Sequence, residues 1–86
     1  MSKPRVLLAD DNIAVARALH RLLEPDFDLV GVVHDGRALF EATLALRPDV
    51  IVTDLSMPLM SGLEAARLLK QHGVTAPIIF PTGYQE

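Results

Sequence analysis

The sequence predicts an α/β fold in which helices cover a buried parallel sheet. Hydrophobic residues make up 50% of the 86-residue chain and aromatic residues only 5%, a balance typical of helices packed on both faces of a sheet. Short apolar runs suited to strands alternate with segments of helical spacing from Arg5 onward. Because no linker, repeat or low-complexity tract interrupts this alternation, we expect one domain with right-handed crossovers between parallel strands.

The first strand and the first helix are predicted between residues 5 and 24. The apolar run from Val6 to Leu8 indicates a buried strand over Arg5–Ala9. Asn12 is a favourable N-cap for a helix. Apolar residues then recur at helical spacing until Pro25 ends the pattern: Val15, Leu19, Leu22 and Leu23.

The second strand and helix follow in the same order. Residues 29–33 are apolar and rich in β-branched side chains, which predicts a strand, and Asp35-Gly36 after them indicates a turn. A second amphipathic helix is predicted from about Arg37 to Arg47, where Pro48 closes it. Its apolar side is expected to carry Leu39, Phe40, Leu44 and Leu46.

The third strand, the third helix and a fourth strand complete the pattern. Val50, Ile51 and Val52 form a wholly apolar run typical of a strand that is buried on both faces. A helix is predicted over residues 62–72, with Gly73 as its C-cap. Residues 77–81 are the fourth strand candidate. The helix is expected to turn four side chains towards the core: Leu63, Ala66, Leu68 and Leu69.

Acidic and hydroxyl side chains follow the ends of three predicted strands. Asp10 and Asp11 follow the first strand, Asp54 the third and Thr82 the fourth. Parallel strands end at one edge of the sheet, so these side chains should converge, and three adjacent carboxylates call for a hard cation such as Mg²⁺. A carboxylate beside that cation can attack phosphorus, and Asp54 is the best candidate nucleophile. The Thr82 hydroxyl is expected to donate a hydrogen bond to the phosphoryl group.

At these residues the sequence closely resembles the receiver domain of two-component response regulators. The resemblance rests on three ordered motifs: Asp10-Asp11, Asp54-Leu55-Ser56-Met57-Pro58 followed by Gly62, and Thr82-Gly83. It implies that Asp54 accepts a phosphoryl group from the phosphohistidine of a sensor histidine kinase. It also implies that Asp10 and Asp11 hold Mg²⁺, that the backbone carbonyl of Ser56 joins them, and that Thr82 turns towards the phosphate.

The resemblance also implies a longer fold than this chain supplies. Receiver domains have five strand-helix units in the flavodoxin-like sheet order 2-1-3-4-5, so residues 1–86 are interpreted as one receiver domain in the order 2-1-3-4, incomplete at its C-terminal end. The resemblance further implies a lysine at the end of the fifth strand that pairs with the phosphoryl group. Neither Lys3 nor Lys70 matches that position. The uncovered edge strand and sheet face are expected to promote a homodimer or larger assembly.

Charge and composition disfavour several other functions. A net charge of −3 without clustered Lys or Arg gives no footprint for nucleic acid or an anionic membrane, and the absence of cysteine excludes disulfides and thiolate metal sites. His20, His34 and His72 lack ligand spacing for zinc. The absence of a signal segment or membrane span predicts a soluble, cytoplasmic protein.

Two functional classes remain open from the sequence. The first is a self-phosphorylating phosphoacceptor, and the second is a receiver-derived interaction or assembly module that keeps the acidic pocket but does not switch. A haloacid-dehalogenase-like phosphatase is disfavoured because Ser56 stands where that family carries its second acid.

Overall fold

A computed structural model describes residues 2–81, which form a four-stranded parallel sheet and three helices. The strands are β1 (Arg5–Ala9), β2 (Asp28–Val33), β3 (Val50–Thr53) and β4 (Ile78–Ile79). The helices are α1 (Ile13–Leu23), α2 (Gly36–Leu46) and α3 (Gly62–Gln71). The sheet order is β2-β1-β3-β4, which confirms the predicted α/β class and strand order.

The central strand β1 pairs in parallel with both β2 and β3, and β3 pairs in turn with β4. Leu8 lies opposite Val32 of β2 and Val52 of β3, so the three strands end at nearly the same height. The residues that follow β1 and β3 therefore emerge side by side, as parallel pairing requires. This register is what brings Asp10 next to Asp54.

The sheet carries a separate apolar cluster on each face. Alternate residues of β1 divide between them, with Leu7 and Ala9 on one face and Val6 and Leu8 on the other. The first cluster is closed by α2 and α3 and includes Leu39 and Leu69. The second lies under α1 and is packed by half-buried side chains: Leu19, Leu23, Phe27, Leu29 and Val50.

Each helix begins at a side chain that accepts a backbone N–H. Asn12 Oδ1 accepts from Val15 N at 3.1 Å, as the sequence predicted. Asp35 Oδ1 accepts from Ala38 N at 2.7 Å, so Asp35 is the N-cap of α2 and the helix begins at Gly36. Gly36 was expected to belong only to a turn. Ser61 and Glu64 form a reciprocal capping box that begins α3.

The structure corrects several details of the expected helix faces and ends. Leu22 of α1 is 71% exposed and Leu63 of α3 is 45% exposed. Each lies about 120° around its helix from a buried residue, Ala16 and Leu69 respectively, so neither reaches the core. Leu44 of α2 is also exposed.

The ends of α3 and β4 also differ from the expected ones. The C-cap of α3 is His72, and Gly73 follows it in the left-handed conformation at φ 82°. The fourth strand is only the two residues Ile78 and Ile79 rather than residues 77–81. Proline at both ends limits its ladder because proline lacks an N–H. Among residues 2–81, no helix is long and apolar enough to cross a membrane.

Candidate functional site

Three carboxylates meet at the edge of the sheet where β1 and β3 end. One carboxylate oxygen from each of Asp10, Asp11 and Asp54 lies within 4.8 Å of the others. Asp10 is buried, Asp54 is half-buried and Asp11 is exposed. The structure therefore brings together the three acids that the sequence placed at strand ends, in a cluster that opens to solvent on the Asp11 side.

Asp10 is held by hydrogen bonds to its main chain and its side chain. Its N–H donates to Val33 O at the end of β2, at 3.0 Å, and Asp10 Oδ1 accepts from Asn12 N at 2.9 Å. Its carbonyl oxygen lies 2.9 Å from His34 Nδ1. Since a carbonyl can only accept, the His34 ring carries a hydrogen on Nδ1 and donates it. The turn after β1 is thus tied to the end of β2.

Asp54 is placed by the central pair of strands. Its N–H donates to Ala9 O at 2.9 Å, which extends the β1–β3 ladder by one residue. Asp54 Oδ1 accepts from Leu55 N at 2.8 Å. Within residues 2–81, no hydrogen bond engages Oδ2, so one oxygen of this carboxylate is anchored and the other is available.

The loop from Leu55 to Ser61 leads back to the end of β3, so that the start of α3 packs beside Asp54. Gly62 N donates to Leu55 O at 2.8 Å, and a Cβ at Gly62 would collide with the carbonyl oxygen of Asp54. Met57 is 8% exposed and packs in the first apolar cluster. Leu59 takes a left-handed conformation at φ 68°. The absence of a Cβ at Gly62 therefore allows its backbone to approach the backbone of Asp54 closely.

Ser56 lies in this loop and is exposed. Within residues 2–81, no protein donor forms a hydrogen bond with its carbonyl oxygen. That oxygen is therefore free to serve as a ligand, as the resemblance implies. Thr82, the expected phosphoryl donor, lies outside the described residues.

Burial and charge act together on Asp10. Burial raises the pKa of its carboxyl above the usual 3.8; the hydrogen bond from Asn12 N opposes this, and the nearby Asp54 and Asp11 raise it further. Charge on His34 lowers the pKa of Asp10 by a smaller amount. A cation among the three acids would relieve both the repulsion and the desolvation.

The donor set fits a hard divalent cation. Mg²⁺ prefers oxygen ligands and takes one or two carboxylates while keeping several waters, which matches a cluster that is buried at Asp10 and open at Asp11. Cysteine is absent from the chain, and no histidine joins the cluster in residues 2–81. The chemistry of the site therefore favours Mg²⁺ over zinc.

Sequence reasoning missed two contributors around the site. His34 was treated only as an isolated histidine, and a hydrogen bond to a main-chain carbonyl 24 residues away leaves no local sequence signal. The capping box that begins α3 did have a signal, because Ser61 is followed three residues later by Glu64.

Comparisons with known proteins point to one family. The family described as the response regulator receiver domain matches residues 6–86. The chain is 38% identical over 77 residues to a protein-glutamate methylesterase/protein-glutamine glutaminase of a Nocardioides species, covering 87% of this chain and 21% of that protein. It is also 38% identical to the transcriptional regulatory protein YdfI of Bacillus subtilis, covering 95% of this chain and 39% of YdfI.

Solved structures show the same fold. The signal receiver domain of the response regulator NarL from Mycobacterium tuberculosis superposes with a TM-score of 0.88 at 29% identity, covering 91% of this chain and 64% of that one. The response regulator domain of Thermotoga maritima CheB gives a TM-score of 0.83 at 34% identity, covering 90% and 59%.

The chain therefore spans about a fifth of the methylesterase relative and two fifths of YdfI. The match to the family runs through the strands, the acidic cluster and the loop after Asp54. This chain belongs to the family of response regulator receiver domains.

Proposed function

We propose that this chain is a phosphoacceptor that takes a phosphoryl group from a sensor histidine kinase onto Asp54. The observation that carries the proposal is the cluster of Asp10, Asp11 and Asp54 at the end of the two central strands. Asp54 suits the nucleophile because Leu55 N anchors Oδ1 while Oδ2 has no hydrogen bond within residues 2–81. An anchored carboxylate attacks with little loss of freedom.

In the proposed transfer, an oxygen of the Asp54 carboxylate forms a bond to phosphorus as the phosphorus–nitrogen bond of the donor phosphohistidine breaks. The electron pair of the broken bond stays on the imidazole nitrogen, and Asp54 becomes an acyl phosphate. The remaining protein groups position the reactants and offset charge, as phosphoryl transfer requires. Thr82 is proposed to donate its hydroxyl hydrogen to a phosphoryl oxygen.

Mg²⁺ is the proposed cofactor, and Asp10, Asp11, Asp54 and the Ser56 carbonyl are the residues that would hold it. Once bound, the ion would neutralise the clustered acids and withdraw charge from the phosphoryl oxygens. The burial of Asp10 and the open side at Asp11 support this arrangement. The partnership with a sensor histidine kinase implies a cytoplasmic location.

Intact-mass analysis after incubation with acetyl phosphate tests the proposal. We expect one added phosphoryl group that requires Mg²⁺ and disappears in Asp54→Ala. Asp26→Ala is the matched control, because it removes an exposed acid outside the cluster. A folded wild-type chain that gains no mass, or gains it equally in Asp54→Ala, would overturn the proposal.

We also propose a second role, self-association through β4, because its surroundings are apolar and uncovered. Ile79 is 48% exposed and borders a cavity of about 250 Å³ with a wholly apolar lining that also includes Leu22 and Val52. No described strand pairs with the outer edge of β4. Exposed apolar surface beside a strand edge favours pairing with a second copy.

The two prolines that flank β4 do not block this edge. Pro77 O accepts from Ile51 N at 2.9 Å, so the main-chain groups of Pro77 face β3. Main-chain direction alternates along a strand, which turns the N–H and C=O groups of Ile78 outward. The outer edge of β4 therefore keeps its hydrogen-bonding groups.

Light scattering across protein concentration tests self-association. We expect the mass to rise towards a dimer in the wild type and to remain that of a monomer in Ile79→Lys, which places a charge on the edge strand. Leu59→Lys is the matched control, because Leu59 is 81% exposed and does not line the cavity. A wild-type chain that remains monomeric at all concentrations excludes this role.

A further inference from the structure

We propose that His34 is a positioning residue for the acidic site, which it orders through the peptide that joins Asp10 to Asp11. The inference rests on the proposed phosphoacceptor function. His34 follows β2, and its Nδ1 lies 2.9 Å from the carbonyl oxygen of Asp10. That oxygen belongs to the peptide group that links the two consecutive acids of the cluster.

The orientation of this peptide bears on where the Asp11 carboxylate points, because Asp11 follows it directly in the chain. Rotating it changes ψ of Asp10 and φ of Asp11, and any part of the two rotations that does not cancel moves the exposed Asp11 side chain relative to Asp54. Asp10 is fixed independently by Val33 O and Asn12 N. Within residues 2–81, His34 is the one hydrogen-bonding partner of the Asp10 carbonyl. Asp11 therefore depends on this contact more than Asp10 does.

The contact requires a donor, and the ring supplies one without carrying a charge. A neutral imidazole with its hydrogen on Nδ1 can donate to the carbonyl, so the contact does not require a protonated ring. The proposed role is therefore geometric. Groups that support a metal ligand without touching the ion commonly change its affinity for the metal when they are removed.

Substitution of His34 separates geometry from charge. His34→Ala removes the donor, whereas His34→Asn keeps an amide nitrogen at the same number of bonds from the main chain as Nδ1 and carries no titratable group. His72→Ala is the matched control, because His72 Nδ1 lies 2.8 Å from Leu68 O, a similar contact far from the cluster.

Titration calorimetry with Mg²⁺ supplies the first readout. Loss of one hydrogen bond from the support of a ligand should weaken Mg²⁺ binding by roughly two- to tenfold in His34→Ala. We expect His34→Asn to restore most of this affinity and His72→Ala to leave it unchanged.

Amide spectra of the metal-free protein supply the second readout. The Asp11 amide shares its peptide group with the Asp10 carbonyl, so its nitrogen shift should move in His34→Ala and return towards the wild-type value in His34→Asn. This measurement does not depend on metal binding or phosphorylation.

Three results would overturn the role of His34: unchanged Mg²⁺ affinity in His34→Ala, no recovery in His34→Asn, or an equal loss in His72→Ala. Each leaves the phosphoacceptor function intact if wild-type protein still gains its phosphoryl group with Mg²⁺. Failure of the wild type to bind Mg²⁺ at all would instead remove the proposed function and, with it, this inference.

Discussion

The charged carboxylate of Asp10 is the form that binds a metal ion, and it is also the form that destabilises the folded protein. Its carboxylate is buried beside two other acids, and these surroundings raise its pKa above 3.8. The folded chain therefore binds a proton at Asp10 more readily than the unfolded chain does. By linkage, the charged group lowers the free energy of unfolding at neutral pH, and this penalty disappears as the pH falls through the raised pKa towards 3.8.

Asp10→Asn should therefore stabilise the metal-free protein. The side-chain oxygen that accepts from Asn12 N is kept, while the buried charge is lost. We expect the free energy of unfolding at pH 7 to rise by about 1 kcal/mol, and the difference from wild type to shrink near pH 4. Urea unfolding at both pH values in chelator-treated buffer checks this, and a less stable variant at pH 7 would contradict it.

Two effects oppose each other when Gly62 is replaced by alanine: the higher helix propensity of alanine and the steric collision of its Cβ. It is the first residue of α3, where alanine would ordinarily favour the helix by up to about 1 kcal/mol. A Cβ at this position collides with the carbonyl oxygen of Asp54, so the backbone beside the candidate nucleophile must move. We expect the collision to outweigh the gain in helix propensity, because the main chain at Asp54 cannot move aside as easily as a flexible side chain.

We expect Gly62→Ala to lower the free energy of unfolding by about 1–3 kcal/mol. It should also slow phosphorylation by acetyl phosphate, because Asp54 shifts. Denaturation and intact-mass time courses measure the two effects, with Ala45→Gly, an exposed helix position, as the control for propensity alone. A stabilised Gly62→Ala variant would show that propensity outweighs the collision.

At the scale of elements, residue patterns predicted the three helices and the centres of the strands. Asn12 and Pro25 bounded α1 correctly because capping and proline effects are local. The sequence patterns did not predict that Leu22 and Leu63 are exposed, since the width of the face that a helix buries depends on the elements packed against it. The convergence of Asp10 and Asp54 was predictable, because parallel strands end together.

The contact between His34 and Asp10 could not be predicted in the same way. It depends on the register of β1 against β2, and that register shifts between Val6 and Leu7. A one-residue change of register alters which groups meet across the strands. The sequence therefore predicts which residues form the site more readily than it predicts what supports them.

The capping box makes the start of α3 sensitive to one hydroxyl. Ser61 Oγ accepts from Glu64 N at 3.1 Å, and Glu64 Oε1 accepts from Ser61 N at 3.0 Å. Ser61→Ala should lower the free energy of unfolding by about 1 kcal/mol, and Ser61→Thr should recover part of it. Urea unfolding measures both variants, and equal losses in the two would exclude the hydroxyl as the cause.

Ser61 also determines how the Glu64 carboxyl responds to pH. Hydrogen bonds from the backbone and then the side chain of Ser61 lower the pKa of Glu64 below 4.5. A lowered pKa means that Glu64 contributes stability above 4.5 and loses it as the pH falls through the folded value. The stability difference between wild type and Glu64→Gln should therefore narrow below pH 4.5, and a difference independent of pH would contradict this.

At the scale of the whole molecule, the two faces of the sheet are closed to different degrees. Leu7 and Leu8 are adjacent in β1 and both are 0% exposed, yet they point to opposite faces. Leu7 lies in a cluster of seven buried residues that α2 and α3 cover, whereas Leu8 lies in a cluster of three. The side chains that complete the second cluster, including Leu19 and Leu23, are half-buried and can shift inward.

Leu7→Ala should therefore lower the free energy of unfolding more than Leu8→Ala. The destabilisation by a cavity depends on how far the surrounding side chains can move into it. We expect losses of about 3–5 kcal/mol for Leu7→Ala and about 2–3 kcal/mol for Leu8→Ala. Urea unfolding with matched m-values tests the comparison. Equal losses would mean that α1 holds its face of the sheet as rigidly as α2 and α3 hold theirs.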